Sequence, residues 1–171
     1  ETKQIPVFPS YFIIEPANLC NRACGFCPIT VMKRPNNFKG MMKWEHFDKL
    51  MRECGKHNCY GLSLYQLGEP LLWRDSSGRN LSHMINHAKD VGRFVAVNVS
   101  TNGDLENLDC LHSSQLDDLI ISIDGTTQET YASNRPLANG KASSLARTKD
   151  RVLRFLSNKT SKPWVRMQII N

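Results

Sequence analysis

The chain has 171 residues, 40% hydrophobic and 22% charged, which is an ordinary globular composition with apolar material for one core. No run approaches the roughly 18 apolar residues that cross a bilayer, and the opening Glu1-Thr2-Lys3-Gln4 lacks the basic-then-apolar pattern of a signal peptide, so one soluble, cytoplasmic domain over 1–171 with no membrane partner is expected. The net charge of +6 is uneven: residues 134–171 hold nine Lys/Arg against one Asp/Glu, a stretch read first as a solvated helix face and only second as a nucleic-acid contact.

Short β-rich runs alternate with helix-like segments, the pattern of parallel strands joined by right-handed crossovers. Tyr11 to Glu15 opens as a strand. Residues 45–56 read as a helix with Phe47, Leu50, Met51 and Cys54 as its apolar stripe. A second strand, Tyr60 to Leu67, stops at Gly68-Glu69-Pro70. The helix Leu81 to Val91 buries Leu81, Met84, Ile85 and Ala88 and leaves His83 and His87 on its wet face, without the catalytic Glu of a zinc pair.

Strand three, Phe94 to Val99, ends in Ser100-Thr101-Asn102-Gly103, and strand four, Leu119 to Ile123, ends in Asp124-Gly125. Alternation puts Asn98, Ser100 and Asn102 on one face of strand three and Ser122 and Asp124 on one face of strand four. Val95, Val97, Val99 and Leu119, Ile121, Ile123 are the faces that pack under helices. A helix from Lys141 to Leu156 turns Leu145, Val152, Phe155 and Leu156 inward, with Arg147, Arg151, Arg154 and Lys159 making a basic outer side. Trp164 to Ile170 is a fifth strand. Five β/α steps with polar strand ends describe an incomplete α/β barrel whose active site lies on the carboxyl face; a full eightfold barrel takes about 250 residues.

The loop after strand one reads Cys20-Asn21-Arg22-Ala23-Cys24-Gly25-Phe26-Cys27-Pro28. Three thiolates so spaced suit one metal centre, either a structural zinc with a distant fourth ligand or an iron-sulfur cluster. A four-iron cluster normally takes four cysteines, so three would leave one iron open to a non-protein ligand.

The C-x3-C-x2-C arrangement, followed in order by the polar strand ends, resembles the radical S-adenosylmethionine (SAM) superfamily over nearly the whole chain, most of all members with SPASM or twitch extensions. The resemblance implies a (β/α)6 TIM-like partial barrel, here the N-terminal part with about five units; either a C-terminal extension has been removed or the protein works without one. It implies a [4Fe-4S] cluster on Cys20, Cys24 and Cys27, whose open iron chelates the methionine part of SAM. Reductive cleavage would give a 5′-deoxyadenosyl radical that abstracts hydrogen from a peptide or small-molecule substrate, with flavodoxin or ferredoxin as electron donor. By the same resemblance, Phe26 lies near the adenine, and Gly68 and Glu69 receive the methionine ammonium. Ser100 and Asn102 lie near the ribose and methionine, Ser122 and Asp124 form the strand-four motif, and Arg135 of Tyr131-x-x-x-Arg135 pairs with the SAM carboxylate. A non-catalytic cluster-binding or SAM-binding partner protein, and an RNA-modifying enzyme, are the alternatives.

Overall fold

The computed structural model describes residues 8–32 and 39–169; Glu1 to Gln4 and Ile170 lie outside them. Five parallel strands, β1 (Tyr11–Ile13), β2 (Gly61–Ser63), β3 (Ala96–Thr101), β4 (Asp118–Ser122) and β5 (Trp164–Gln168), form one sheet in the order β1-β2-β3-β4-β5. The helices are α1 (Pro28–Val31), α2 (Trp44–Cys54), α3 (Leu81–Asp90), α4 (Gln128–Asn134) and α5 (Leu145–Asn158); a 3-10 segment, Glu106–Ser113, replaces a full helix between β3 and β4. Each strand lies beside its sequence neighbour, and right-handed crossovers all turn the same way, so the connections cover one face of the sheet. Leu62, Val97, Val99, Leu119 and Ile121 are buried on that face with Phe47, Met51, Met84, Ile85, Leu108, Val152 and Phe155. Each such side chain contributes on the order of 1.5–3 kcal/mol by leaving water.

The opposite face carries polar side chains among apolar ones such as Ile13 and Trp164. Cross-strand register aligns Ser63, Asn98 and Asp118, and then Ser100 with Ile120. Tyr11 reaches across to this face, its hydroxyl 2.7 Å from Ser63 Oγ and accepting from Asn98 Nδ2 at 2.9 Å. The α/β partial barrel read from the sequence is therefore the architecture observed.

Several local expectations shift. β2 ends at Ser63 rather than Leu67, because the amides of Leu67 and Gly68 donate to Glu15 Oε1 (2.9 and 2.8 Å) instead of to a neighbouring strand. β3 starts at Ala96 and runs to Thr101, leaving Val95 61% exposed rather than packed. α5 starts at Leu145, where Ser144 caps it by accepting from the Arg147 amide, and its Leu156 is partly exposed, not core. His87 is not on a wet face: it bonds Asp48 across the α2–α3 seam at 2.8 Å and lies against the Trp44 ring. The basic side of α5 is largely paired, Arg147 and Arg151 with Asp104 and Arg154 with Asp109. This leaves less unpaired charge for a polyanion than the sequence count implies. Among the described residues no helix is long and apolar enough to cross a membrane.

Candidate functional site

The carboxyl ends of the strands open into a cleft of about 140 Å³. Cys20, Cys24 and Cys27 line it together with Phe26, Gly68, Glu69, Ser100, Asn102, Ser122 and Arg135. Of the residues expected at the site, only Asp124 stands behind this lining. Tyr65, Gln66, Leu67, Thr101 and Arg22 join it without having been singled out from the sequence.

The cysteine loop is anchored on both sides. Asn21 Oδ1 accepts from Asn102 Nδ2 at 2.7 Å. Ala23 N donates to Pro136 O at 2.9 Å, and Ala138 N donates to Asn21 O at 2.9 Å. The loop closes with Cys27 N donating to Cys24 O at 3.0 Å, and Pro28, with its preset φ, then starts α1. All six cysteines are free. Burial pushes the Cys20 thiol up to about 11, with the Glu69 charge adding to the shift; burial also raises Cys24, against the pull of Arg135 and Arg22. Cys54 and Cys59 are fully buried in the core, as a packing role for Cys54 requires.

Gly68 is required by contact. A Cβ there would stand 1.9 Å from Ala17 O, so only glycine lets the turn after β2 press against the segment leading into the cysteine loop. Beside it Glu69, 2% exposed, accepts from Leu71 N (3.1 Å), Thr101 Oγ1 (2.6 Å) and Asn102 N (2.9 Å). Burial raises its carboxyl above the ordinary range despite these bonds. The carboxylate thus ties the ends of β2 and β3 together while fronting the cleft. Asn102 is similarly engaged, its Oδ1 accepting from Asp104 N at 2.9 Å.

The facing wall comes from the end of β4 and from α4, a helix absent from the sequence reading. Thr127 caps α4 through a reciprocal pair with Thr130. Asp124, held at φ +45°, is fully buried and accepts from Arg135 Nε at 2.7 Å and from Arg135 Nη2. The Asp124 carboxylate orients Arg135, which lines the cleft. Phe26 is 46% exposed, lines the cleft and lies outside the hydrophobic core. The hydroxyls of Ser100 and Ser122 line the cleft without a hydrogen-bond partner among the described residues.

Among the described residues no three His, Cys, Asp or Glu side chains converge as ligands of a single ion would. Cys20, Cys24 and Cys27 are nonetheless three soft donors around one cleft, the ligand type of a zinc or an iron-sulfur centre. The residues missed by sequence reading are those whose role is to be paired inside: Glu15 on the 67–68 amides, Arg22 between two cysteines, and Asp104 after the Asn102-Gly103 turn. In the sequence they are single charges in or beside loops, a weak signal because most such charges are solvated.

No family model and no curated protein matches the chain. Solved structures match its fold. Against BtrN in complex with AdoMet and 2-DOIA the TM-score is 0.63 at 20% identity, covering 95% of this chain and 57% of that one. Against a histidine-tagged anSMEcpe with bound AdoMet the values are 0.71, 20%, 95% and 42%. Against Streptococcus suis SuiB bound to S-adenosylmethionine they are 0.69, 15%, 95% and 34%. At such identities the likeness is one of fold, and the chain spans between about a third and just over half the length of these proteins.

Proposed function

We propose that the chain is the core of a radical SAM enzyme, with Cys20, Cys24 and Cys27 holding a [4Fe-4S] cluster and the strand ends holding SAM. The observation that carries the reading is the arrangement of one cleft: three thiols at its mouth, a buried carboxylate at one wall and an arginine at the other. A zwitterion with an ammonium and a carboxylate, such as the methionine end of SAM, matches a cleft charged in that sense. Glu69 receives the ammonium, Arg135 the carboxylate, and the unengaged hydroxyls of Ser100 and Ser122 the ribose. The exposed ring of Phe26 offers its face to the adenine. Held by these residues, a cluster with SAM would supply reductive cleavage of the cofactor and radical abstraction of hydrogen from a substrate.

The fold likeness to proteins solved with this cofactor supports the reading, since ligands of such α/β folds lie at the carboxyl ends of the strands. The substrate is read as a peptide or a small metabolite: anSMEcpe and SuiB have been solved with peptides, and BtrN with 2-DOIA. The reductant is a flavodoxin or ferredoxin, and the site of action the cytoplasm. The test is anaerobic reconstitution with iron and sulfide, then dithionite and SAM, with detection of 5′-deoxyadenosine. About four irons per chain, the content of one cluster, and formation of 5′-deoxyadenosine are expected. Stoichiometric zinc with no iron-sulfur absorption, in protein prepared without air, would overturn the reading.

A further inference from the structure

Arg22 sits between two cysteines of the loop, yet its side chain is 1% exposed and reaches across to the Arg135 wall. Three acceptors meet its guanidinium, two from α4 and its C-terminal cap and one from the turn after β3. Nη1 donates to the Arg135 carbonyl at 2.5 Å; Nη2 donates to the Tyr131 hydroxyl at 2.7 Å and pairs with Asp104 Oδ2 at 2.9 Å. Tyr131 and Asp104 are both bonded to Thr148 of α5. The backbone around Arg22 is bridged to Leu137 just beyond Arg135.

We propose that Arg22 is a positioning residue that locks the cysteine loop in register with the Arg135 wall, so that one buried guanidinium sets both the thiol end and the anion-binding end of the cleft. In naming what is positioned, the inference rests on the functional reading above. Burying a guanidinium is expensive, and an apolar side chain of similar volume would fill the space at less cost. The Nε–H is buried without a partner, an extra penalty that argues against retention for stability alone. A planar fork that meets three acceptors in different directions is also something lysine cannot reproduce.

The experiment uses metal-free protein held anaerobic and reduced. It follows iodoacetamide labelling of each cysteine by mass spectrometry in the parent, Arg22→Gln, Arg22→Lys and Tyr131→Phe chains. Release of the loop should speed labelling of Cys20 and Cys27 by about tenfold in Arg22→Gln, as a local opening made easier by one decade would; Cys24 is left out of the comparison because the Arg22 charge acts on it directly. The increase should be smaller in Arg22→Lys and in Tyr131→Phe, which at nearly constant volume removes the hydroxyl's bonds to Arg22 and Thr148 but leaves the other two acceptors of the guanidinium. Cys54 and Cys59, in the core below the sheet, should not change. Unchanged loop labelling in folded Arg22→Gln would overturn the proposal. So would a parallel rise at Cys54 and Cys59, because that pattern means general loosening. If Arg22→Gln does not fold, the graded result from the other two variants decides. Iron plays no part in this readout, so its outcome and that of the reconstitution test are separable.

Discussion

Two acids stand at strand ends on opposite walls of the cleft, both buried, and they do opposite things. Glu69 is held by neutral donors only, two amides and the Thr101 hydroxyl. Burial raises its carboxyl, against these hydrogen bonds and the more distant Arg135 charge. Asp124 is held by Arg135, which cancels its charge and turns the arginine toward the cleft. A buried acid with neutral partners leaves a negative wall; a buried acid with an arginine partner is a support for a positive one.

The largest effects test whether the loop between the walls is the metal site. Cys20→Ala, Cys24→Ala and Cys27→Ala should each take reconstituted iron from about four per chain to near zero. Cys54→Ala should keep the iron and lose only packing, on the order of 1 kcal/mol for one small buried group. Iron content, measured alongside visible absorption, decides it; a loop variant that keeps full iron would remove that cysteine from the site.

Arg135→Met tests the positive wall. It leaves Asp124 buried without its arginine, which should cost about 3–5 kcal/mol of unfolding free energy, read by urea denaturation of the metal-free chain. In reconstituted protein, SAM affinity should also fall. A stability loss with unaltered SAM affinity would mean that the arginine supports the wall without touching the ligand.

Much of this arrangement was legible in the sequence, for identifiable reasons. Val97, Val99, Leu119 and Ile121 alternate with polar residues, and period two gave away which face of each strand packs. The cysteine spacing and the order of Glu69, Ser100, Ser122 and Arg135 along the chain placed one wall after another. What stayed hidden depends on contacts between distant segments. Val95 looks like its neighbours in a strand and is exposed because pairing begins one residue later. Nothing in Gln128-Glu129-Thr130 announces the helix α4, whose C-terminal cap brings Arg135 against Asp124. Arg22 resembles a loop charge and is buried because Tyr131, Asp104 and the Arg135 carbonyl converge on it.

Glu69→Gln sharpens the comparison from the negative wall, and the structure changes what that variant means. One carboxylate oxygen becomes an NH2, which cannot accept from both the Asn102 amide and the Leu71 and Thr101 donors. Besides weakening SAM binding, the variant should therefore lose about 1–3 kcal/mol, the cost of an orphaned buried donor. The pH dependence separates the two contributions. With its folded carboxyl raised above the ordinary 4.5, Glu69 keeps a proton in the native chain that the unfolded chain has released. Its contribution to stability is complete below about 4.5 and is lost as pH rises through the folded value. Asp48, held below its ordinary range by Arg52, and Asp117, which burial would raise but Lys162 and Lys89 hold down, act oppositely and only at lower pH. Subtracting the Glu69→Gln profile of unfolding free energy against pH from the parent profile should leave a component that declines above pH 4.5. A flat difference would show that burial does not perturb this carboxyl.

The smallest effects belong to the two hydroxyls that neither wall uses. Ser100 and Ser122 face the cleft from adjacent strands with no partner for Oγ among the described residues, so replacing either by alanine removes no internal bond. Stability should then change by no more than about 0.5 kcal/mol. If these hydroxyls meet the ribose, each variant gives up one hydrogen bond to the ligand, worth about 0.5–1.5 kcal/mol, or a two- to roughly tenfold weaker SAM titration by calorimetry. The double variant should lose the sum, because the two serines share no protein partner through which to couple. Equal SAM affinity in parent and double variant would move the ribose off β3 and β4 and confine the cofactor to the thiols, Glu69 and Arg135.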